Sequence, residues 1–260
     1  MDVVDSDRDG DVDTLLDRLA EDLRAAGSAV ALTGAGLSAA SGIPTFRGED
    51  GIWGDVFDPS AFHRSRFARD PAGFWRDRLA LYDHMEPQGG AEPNAAHRAL
   101  AELVDLGLLE AVITQNTDGL HHAADTADVI ELHGTNARVV CVECDRSRTA
   151  TPVRRRARGG ELPPTCECGG PFKPDVVLFG ELLPAAAHRR AKRLAAESDV
   201  FIAAGSSLTV DPAASLPTRI GDGTLAVINL ERTRYADTAA YDIRADVTDA
   251  LPALLDRVRG

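Results

Sequence analysis

Six short apolar runs, separated by stretches with helical spacing, constrain this chain more than any other feature. They fall at residues 28–33, 112–113, 129–132, 176–179, 200–204 and 225–230. Runs this short and this continuously apolar suit strands covered on both faces of a parallel sheet. Residues 97–109, 185–196 and the stretch around 212–220 read as helices. Ahead of the first run, residues 12–26 carry Leu15, Leu16, Leu19 and Leu23 at helical spacing, with Gly27 placed to cap the helix end. Strands alternating with helices predict an α/β fold built on a doubly wound parallel sheet. Ligands of such sheets bind beyond the carboxyl ends of the strands. Here those ends carry Gln115, Asn116, Asp118 and His133, within the segments Thr-Gln-Asn-Thr-Asp-Gly-Leu-His and Glu-Leu-His-Gly. Amide, carboxylate and imidazole groups crowded together belong to a chemical site rather than a core.

The first run breaks into Gly34-Ala35-Gly36-Leu37-Ser38-Ala39. A strand followed by this glycine turn offers backbone N–H groups where a pyrophosphate can approach; a plain glycine turn is the bland alternative. The acidic residue that normally holds a ribose about 20 residues later has no strand to follow at Glu49 or Asp50. A better match is the strand ending in Asn229-Leu230-Glu231. The nucleotide site is therefore expected to be a variant of the Rossmann arrangement.

Two segments interrupt the alternation. Residues 51–94 are rich in aromatics, from Trp53, Phe57, Phe62, Phe67, Phe74 and Trp75 to Tyr82, and lack strand-like alternation. They predict a helical module walling a cleft, its aromatics serving more in packing than in contact. Residues 141–173 hold all four cysteines, as Cys141-x-x-Cys144 and Cys166-x-Cys168. Two such pairs suit a closed tetrahedral zinc site with no open catalytic position, free buried thiols being the alternative. The Arg154-Arg155-Arg156 run reads as a solvated loop face. The expected Rossmann-like domain thus comprises residues 1–50, 95–140 and 174–260.

With 260 residues and 44% hydrophobic content, the chain can bury one large core with a satellite. A formal charge of −13 argues against nonspecific binding to nucleic acid or anionic membranes. Nearly every cation is arginine, Lys173 and Lys192 being the lysines; abundant aspartate with scarce lysine suggests a high-salt habitat. The early residues Asp2, Asp5, Asp7, Asp9 and Asp11 resemble no export signal, and no stretch approaches a membrane span. A cytoplasmic location is expected.

Taken together, Gly34-Ala35-Gly36-Leu37-Ser38, Gly42-Ile43-Pro44-Thr45-Phe46-Arg47-Gly48, the 114–121 run, Glu131-Leu132-His133-Gly134, both cysteine pairs and Gly205-Ser206-Ser207-Leu208 closely resemble the sirtuin family of NAD-dependent protein lysine deacylases. The resemblance implies a Rossmann-type large domain, a smaller zinc-binding and helical domain, and a cleft between them for NAD and an acyl-lysine peptide. It implies a deacetylase that passes the acetyl group to ADP-ribose and releases nicotinamide, with one structural zinc per chain. On this chain, His133 would be the general base, with Asn116 and Asp118 beside the nicotinamide ribose. Gly34, Ala35, Gly36, Ser38, Thr45, Phe46, Arg47, Gln115, Thr117, Gly205, Ser206, Ser207, Asn229, Leu230, Glu231 and Val247 would complete the NAD site. Val177, Phe179, Gly180 and Glu181 would receive the substrate peptide as an added strand. Of His121 and His122, one is expected to orient backbone and the other to face solvent. The implied partners are acetyl-lysine proteins, DNA-binding chromatin-type proteins among them, without direct nucleic-acid or membrane contact.

Two departures stand out. Thr117 occupies a position that is commonly apolar in the family. Tyr82 is followed three residues later by Met85, without the arginine that the branch removing acidic acyl groups uses, so acetyl is the favoured group, with Arg76 and Arg78 nearby. A desuccinylase and a mono-ADP-ribosyltransferase are the alternatives within the family. A nicotinamide oxidoreductase shares the glycine loop but has no use for an Asn-x-Asp cluster at the glycosidic bond.

Overall fold

The computed structural model describes residues 11–47 and 51–260. Gly48, Glu49, Asp50 and the acidic residues Asp2 to Asp9 lie outside them. In chain order the elements are α1 (Val12–Ala25), β1 (Ala29–Thr33), α2 (Arg64–Arg69), α3 (Pro71–Met85), α4 (Ala95–Asp105), β2 (Ala111–Thr114), α5 (Leu120–Ala123), β3 (Val129–Glu131), β4 (Gly134–Cys141), β5 (Ser147–Thr149), α6 (Ala150–Arg158), β6 (Phe172–Val176), α7 (Ala185–Glu197), β7 (Val200–Ala204), β8 (Thr224–Ile228), β9 (Tyr241–Ile243) and α8 (Val247–Arg259). Short 3-10 turns cover Ala35–Ser41 and Ala213–Arg219.

Six strands form one parallel sheet in the order β3-β2-β1-β7-β8-β9. Numbered within that sheet, this is the 3-2-1-4-5-6 order of the dinucleotide-binding fold, which reverses between β1 and β7. Every residue of β1, β2 and β7 is buried, which is why these strands read as unbroken apolar runs. One face packs on α1, α4 and α8 through Leu16, Leu19, Leu100, Leu103, Leu251 and Leu254. The other packs on α7 and the 3-10 turn through Leu194, Phe201, Leu216 and Val227.

A second sheet, antiparallel and ordered β5-β4-β6, carries α6 and shares one core with α3. Phe62, Phe74, Trp75, Val139, Val153 and Phe172 meet there. The helical and cysteine-bearing modules therefore form one packed body, pinned further by Trp75 Nε1 donating to the Phe172 carbonyl at 2.8 Å.

Several local expectations differ from the structure. Helix α1 ends at Ala25 with extended Ala26 at its cap; Gly27 instead donates its N–H to Asp199. The apolar run at 176–179 does not join the parallel sheet: only Val176 is in a strand, at the end of β6. Beyond it Val177 and Phe179 are half-exposed while Leu178 is buried, so the run is an extended wall rather than a core strand. Strands β4 and β6 both lie in the antiparallel sheet, so the expected boundaries at 140 and 174 cut through them. The arginine run sits on α6 rather than a loop, and Arg154 is half-buried against Glu86 and the Asn136 carbonyl.

Candidate active site

The reversal of strand order brings two glycine turns together. Gly34 N–H donates to the Ala204 carbonyl at 3.3 Å, and Gly36 N–H to the Gly205 carbonyl at 2.8 Å. A Cβ on Gly34 would lie 2.8 Å from Ser206 Cβ, and one on Gly36 would lie 2.9 Å from the Gly205 oxygen. These glycines are required because backbones touch at the switch point. Above them opens a cleft of about 700 Å³.

The cleft is walled by Gly34, Ala35, Gly36, Thr45, Phe46, Arg47, Gln115, Asn116, Thr117, His133, Gly205, Ser206, Ser207, Asn229, Leu230, Glu231 and Val247, and on the far side by Val177, Phe179, Gly180 and Glu181. Ser38 and Asp118 line a second cavity of about 680 Å³ instead, which shares Ala35, Phe46, Arg78 and Asn116 with the first. All the residues expected to meet NAD or the peptide thus border two cavities with a common wall.

The polar residues at the strand ends interlock. His133 Nδ1 lies 2.9 Å from the Gln115 carbonyl, an acceptor, so Nδ1 carries the proton and Nε2 keeps its lone pair. Burial pushes the His133 pKa below its ordinary value, against the opposing pull of that hydrogen bond. The imidazole is therefore neutral at neutral pH. Gly134, with φ +73°, turns the chain directly after it, where a Cβ would strike the Asp175 carbonyl. Gln115 Nε2 donates to Ser206 Oγ at 2.8 Å, tying the β2 end to the β7 turn. Asn116 Nδ2 donates to the Gly34 carbonyl at 3.0 Å and to Ser38 Oγ at 3.1 Å.

Asp118 shows the opposite balance. Burial raises its pKa, while the Leu120 N–H at 2.9 Å and the Ser38 hydroxyl at 2.8 Å favour the charged form. Behind Ser38 lies a layer that sequence reasoning missed. His97, fully buried, approaches Ser38 Oγ at 3.5 Å and packs its ring 5.0 Å from that of His121. His121 Nε2 meets Thr33 Oγ1 at 2.9 Å, so it engages a side chain rather than orienting backbone. His122 is exposed and pairs with Glu131. The signal for His97 was its place on the buried face of α4, beside Ala96, Ala99 and Leu100.

On the far wall, Val177 N–H donates to the His133 carbonyl and Phe179 N–H to the Phe62 carbonyl. Glu181 is committed to Lys173 at 3.0 Å and to the Leu178 N–H at 2.9 Å. Phe46 stacks on Trp53 with centroids 5.3 Å apart, and Trp53 and Phe62 line the cleft as well as packing the core. Tyr82 and Met85 face the second cavity only, whereas Arg78 lines both.

The four cysteines converge. Sγ separations are 3.4 Å for Cys141–Cys168, 3.4 Å for Cys144–Cys168 and 3.8 Å for Cys144–Cys166, with all four atoms within 4.8 Å of one another. Zn–S bonds of about 2.3 Å place tetrahedral sulfurs about 3.8 Å apart, so the donor set fits one structural zinc. The short second pair closes because Gly169, at φ +89°, turns the chain there and its N–H returns to the Cys166 carbonyl.

A sheet of this order with its cleft at the switch point defines the class: a Rossmann-type nucleotide-binding protein whose smaller body is held by a four-cysteine metal site. Comparison with known proteins specifies it further. The model of the Sir2 family matches residues 34–212, and the chain belongs to that family. It is 56% identical over 246 residues to an NAD-dependent protein deacetylase of Haloarcula marismortui, covering 94% of each chain. It is 42% identical to one of Saccharolobus solfataricus, covering 94% of this chain and 98% of the relative. Among solved structures, a Sir2–p53 peptide–NAD+ complex superposes with a TM-score of 0.82 at 36% identity, covering 92% of this chain and 96% of that one. A Sir2 histidine-to-alanine variant with deacetylated p53 peptide and 3'-O-acetyl ADP-ribose reaches 0.86, also at 36% identity, covering 93% and 97%.

Proposed function

We propose that this protein is an NAD-dependent protein lysine deacetylase in which His133 is the general base. The observation that carries the reading is the His133–Gln115 hydrogen bond: it leaves Nε2 unprotonated in the wall of the cleft, the state needed to take a proton from a ribose hydroxyl. NAD supplies a glycosidic bond whose cleavage releases nicotinamide and makes the ribose the acceptor of the acetyl group. Asn116, held by Gly34 and Ser38, positions the ribose, and Asp118 sets negative charge where positive charge develops. The apposed turns at Gly34–Gly36 and Gly205–Ser207 suit the phosphates, and Asn229, Leu230, Glu231 and Val247 suit the adenosine. Phe46 excludes water, and Arg47 meets phosphate. The peptide lies along Val177, Phe179 and Gly180, with Glu181 bracing that wall.

The domain division follows the two bodies, with the parallel sheet holding NAD and the helical and cysteine modules facing it. The acidic surface favours basic partners, so DNA-binding chromatin-type proteins are proposed targets. Four reduced thiolates suit the cytoplasm; among the described residues no helix is long and apolar enough to cross a membrane. The test is mass spectrometry of products from NAD and an acetyl-lysine peptide. Acetyl-ADP-ribose, nicotinamide and free lysine are expected; NADH absorbance or an ADP-ribosylated peptide would overturn the reading.

A further inference from the structure

Lysine is almost absent from this chain: of 28 lysines and arginines, only Lys173 and Lys192 are lysines. Lys173 stands on β6, just ahead of the wall that runs from Val176 to Glu181, with 19% of its side chain exposed. Its Nζ donates to the Val176 carbonyl at 2.8 Å and to Glu181 Oε2 at 3.0 Å. The same carboxylate oxygen accepts from the Leu178 N–H at 2.9 Å, and the Glu181 N–H returns to the Leu178 carbonyl at 2.9 Å. One ammonium thus clips the start of the wall to its end. A compact group whose donors point in different directions suits this junction better than the flat fork of arginine, which gives a physical reason for a lysine here in an arginine-rich chain.

The clip acts where the other restraints end. Val177 N–H is held by the His133 carbonyl at 2.9 Å, and Phe179 is held twice, its N–H by the Phe62 carbonyl at 3.2 Å and its carbonyl by the Arg64 N–H at 2.9 Å. Gly180, at φ +82°, then turns the chain, and the hydrogen bonds of Glu181 beyond it go to Leu178 and Lys173. Without the ammonium, the Glu181 carboxylate keeps one neutral donor, and the Gly180 end gains by swinging toward water, where the charge is better solvated. A peptide would then have to order this end as it binds, at a cost to its affinity. His133 is insulated from that loss: its Nδ1 stays on the Gln115 carbonyl, and Gly134 stays paired with Val176.

We propose that Lys173 is a positioning residue for the acyl-lysine peptide: through Glu181 it fixes the Gly180 end of the wall before the peptide arrives, and so governs peptide affinity rather than the chemical step. The proposal rests on the deacylase reading above. Lys173 touches neither substrate and acts through Glu181 alone. NAD, received by the glycine turns across the cleft, does not sense the clip.

The experiment measures steady-state kinetics with NAD and one acetyl-lysine peptide, each varied separately, for the wild type, Lys173→Met, Lys173→Arg, Glu181→Gln and the variant carrying both Lys173→Met and Glu181→Gln. Lys173→Met should raise the peptide KM at least about fivefold while kcat and the KM for NAD stay within about threefold of wild type. Lys173→Arg keeps the charge and should recover part of that rise. The double variant should be no more than about twofold worse than the worse single one, because either change opens the same clip. Lys192→Met, an equal loss of charge on α7, should leave both KM values unchanged. Hydrogen exchange in Lys173→Met should quicken across residues 176–181 and stay as in the wild type in β1 and β7. A fall in kcat with an unchanged peptide KM, the mark of fewer folded molecules, would overturn the proposal, as would single effects that multiply in the double variant or exchange that does not change. No turnover of any peptide by the wild type would sink the deacylase reading and the positioning role with it, whereas turnover with a peptide KM indifferent to Lys173→Met would sink the positioning role alone.

Discussion

Replacing His97 by glutamine should flatten the acid side of the stability profile. Burial holds the His97 pKa down to about 4, with Arg98 contributing, and holds His121 down to about 3, with His97 and His122 contributing. Both rings are neutral when folded, whereas in the unfolded chain each takes a proton near its ordinary 6.5. The unfolded state therefore binds more protons as pH falls below 6.5, and folding stability is lost in that direction. Between pH 7 and 5 each histidine removes about 2 kcal/mol, or about 4 kcal/mol for the pair. That window lies above the range where carboxylates protonate, so histidines dominate it. Glutamine does not titrate and can still reach back to the Asn94 N–H that His97 Nδ1 accepts from in the α4 capping box. The assay is urea unfolding of both proteins at several pH values in this window, with the slope against denaturant checked for constancy. The variant should lose about 2 kcal/mol less stability than wild type across this window, because the effects of the other histidines cancel in the difference. Equal losses would refute the argument that His97 is buried neutral.

The catalytic assignment predicts that His133→Ala retains NAD binding within a few-fold while deacetylation falls by at least about a hundredfold; wild-type turnover in the purified variant would remove His133 from the mechanism. In the wild type, kcat/KM should be full at neutral pH and decline on the acid side with an apparent pKa below 6.5, since burial lowers that of His133. A midpoint above 6.5 would contradict this. Metal analysis should find about one zinc per chain, lost in Cys144→Ser together with cooperative unfolding of the smaller body. Zinc-free protein with an unchanged melting transition would count against a structural metal. Gly36→Ala should weaken NAD binding and cost about 1–3 kcal/mol of stability, as its Cβ must displace the Gly205 backbone 2.9 Å away; isothermal titration and unfolding that match wild type would show that the two turns are not in contact.

Strand ends were legible because β1, β2, β7 and β8 are covered on both faces, so each apolar run stops where the chain meets the ligand side. Asn116, Asp118 and His133 could therefore be read as neighbours although β2 and β3 are separate in sequence. The antiparallel sheet was hidden for the converse reason. In β4 Arg138 is exposed, Asn136 and Val140 are half-exposed, and β5 is exposed throughout, so no apolar run announces either strand. Strand β6 contains Pro174, which an edge strand tolerates and a central one does not. The run at 176–179 misled because continuous apolarity looks alike whether a segment is buried in a sheet or lines an apolar cleft. Arg78, near Tyr82 in sequence, is buried for a reason legible in its spacing. On α3 the residues Phe74, Trp75, Arg78, Leu81 and Tyr82 share the buried face, and a cation at helical register within such a face needs a partner.

Burial alone cannot make the site work, because it drives His133 and Asp118 in chemically opposite senses. Low polarity favours the neutral form of each: for His133 this is the base that the proposed reaction needs, whereas for Asp118, in its proposed role, it is the form that cannot stabilise developing positive charge. The asymmetry is resolved by hydrogen bonds of different number and kind. His133 has one bond, from Nδ1 to a carbonyl, which fixes the tautomer. Asp118 accepts from a hydroxyl and a backbone N–H, both of which favour the carboxylate. Ser38, whose hydroxyl donates to Asp118, also accepts from Asn116, and the fully buried His97 lies behind it. Because Ser38 spends its single proton on Asp118, Asn116 must act as donor toward it, and its carbonyl oxygen remains available for the ribose. One serine on the glycine turn after β1 thus donates to the acid and orients the amide, which ties the turn proposed to receive phosphate to the cluster proposed to perform the chemistry.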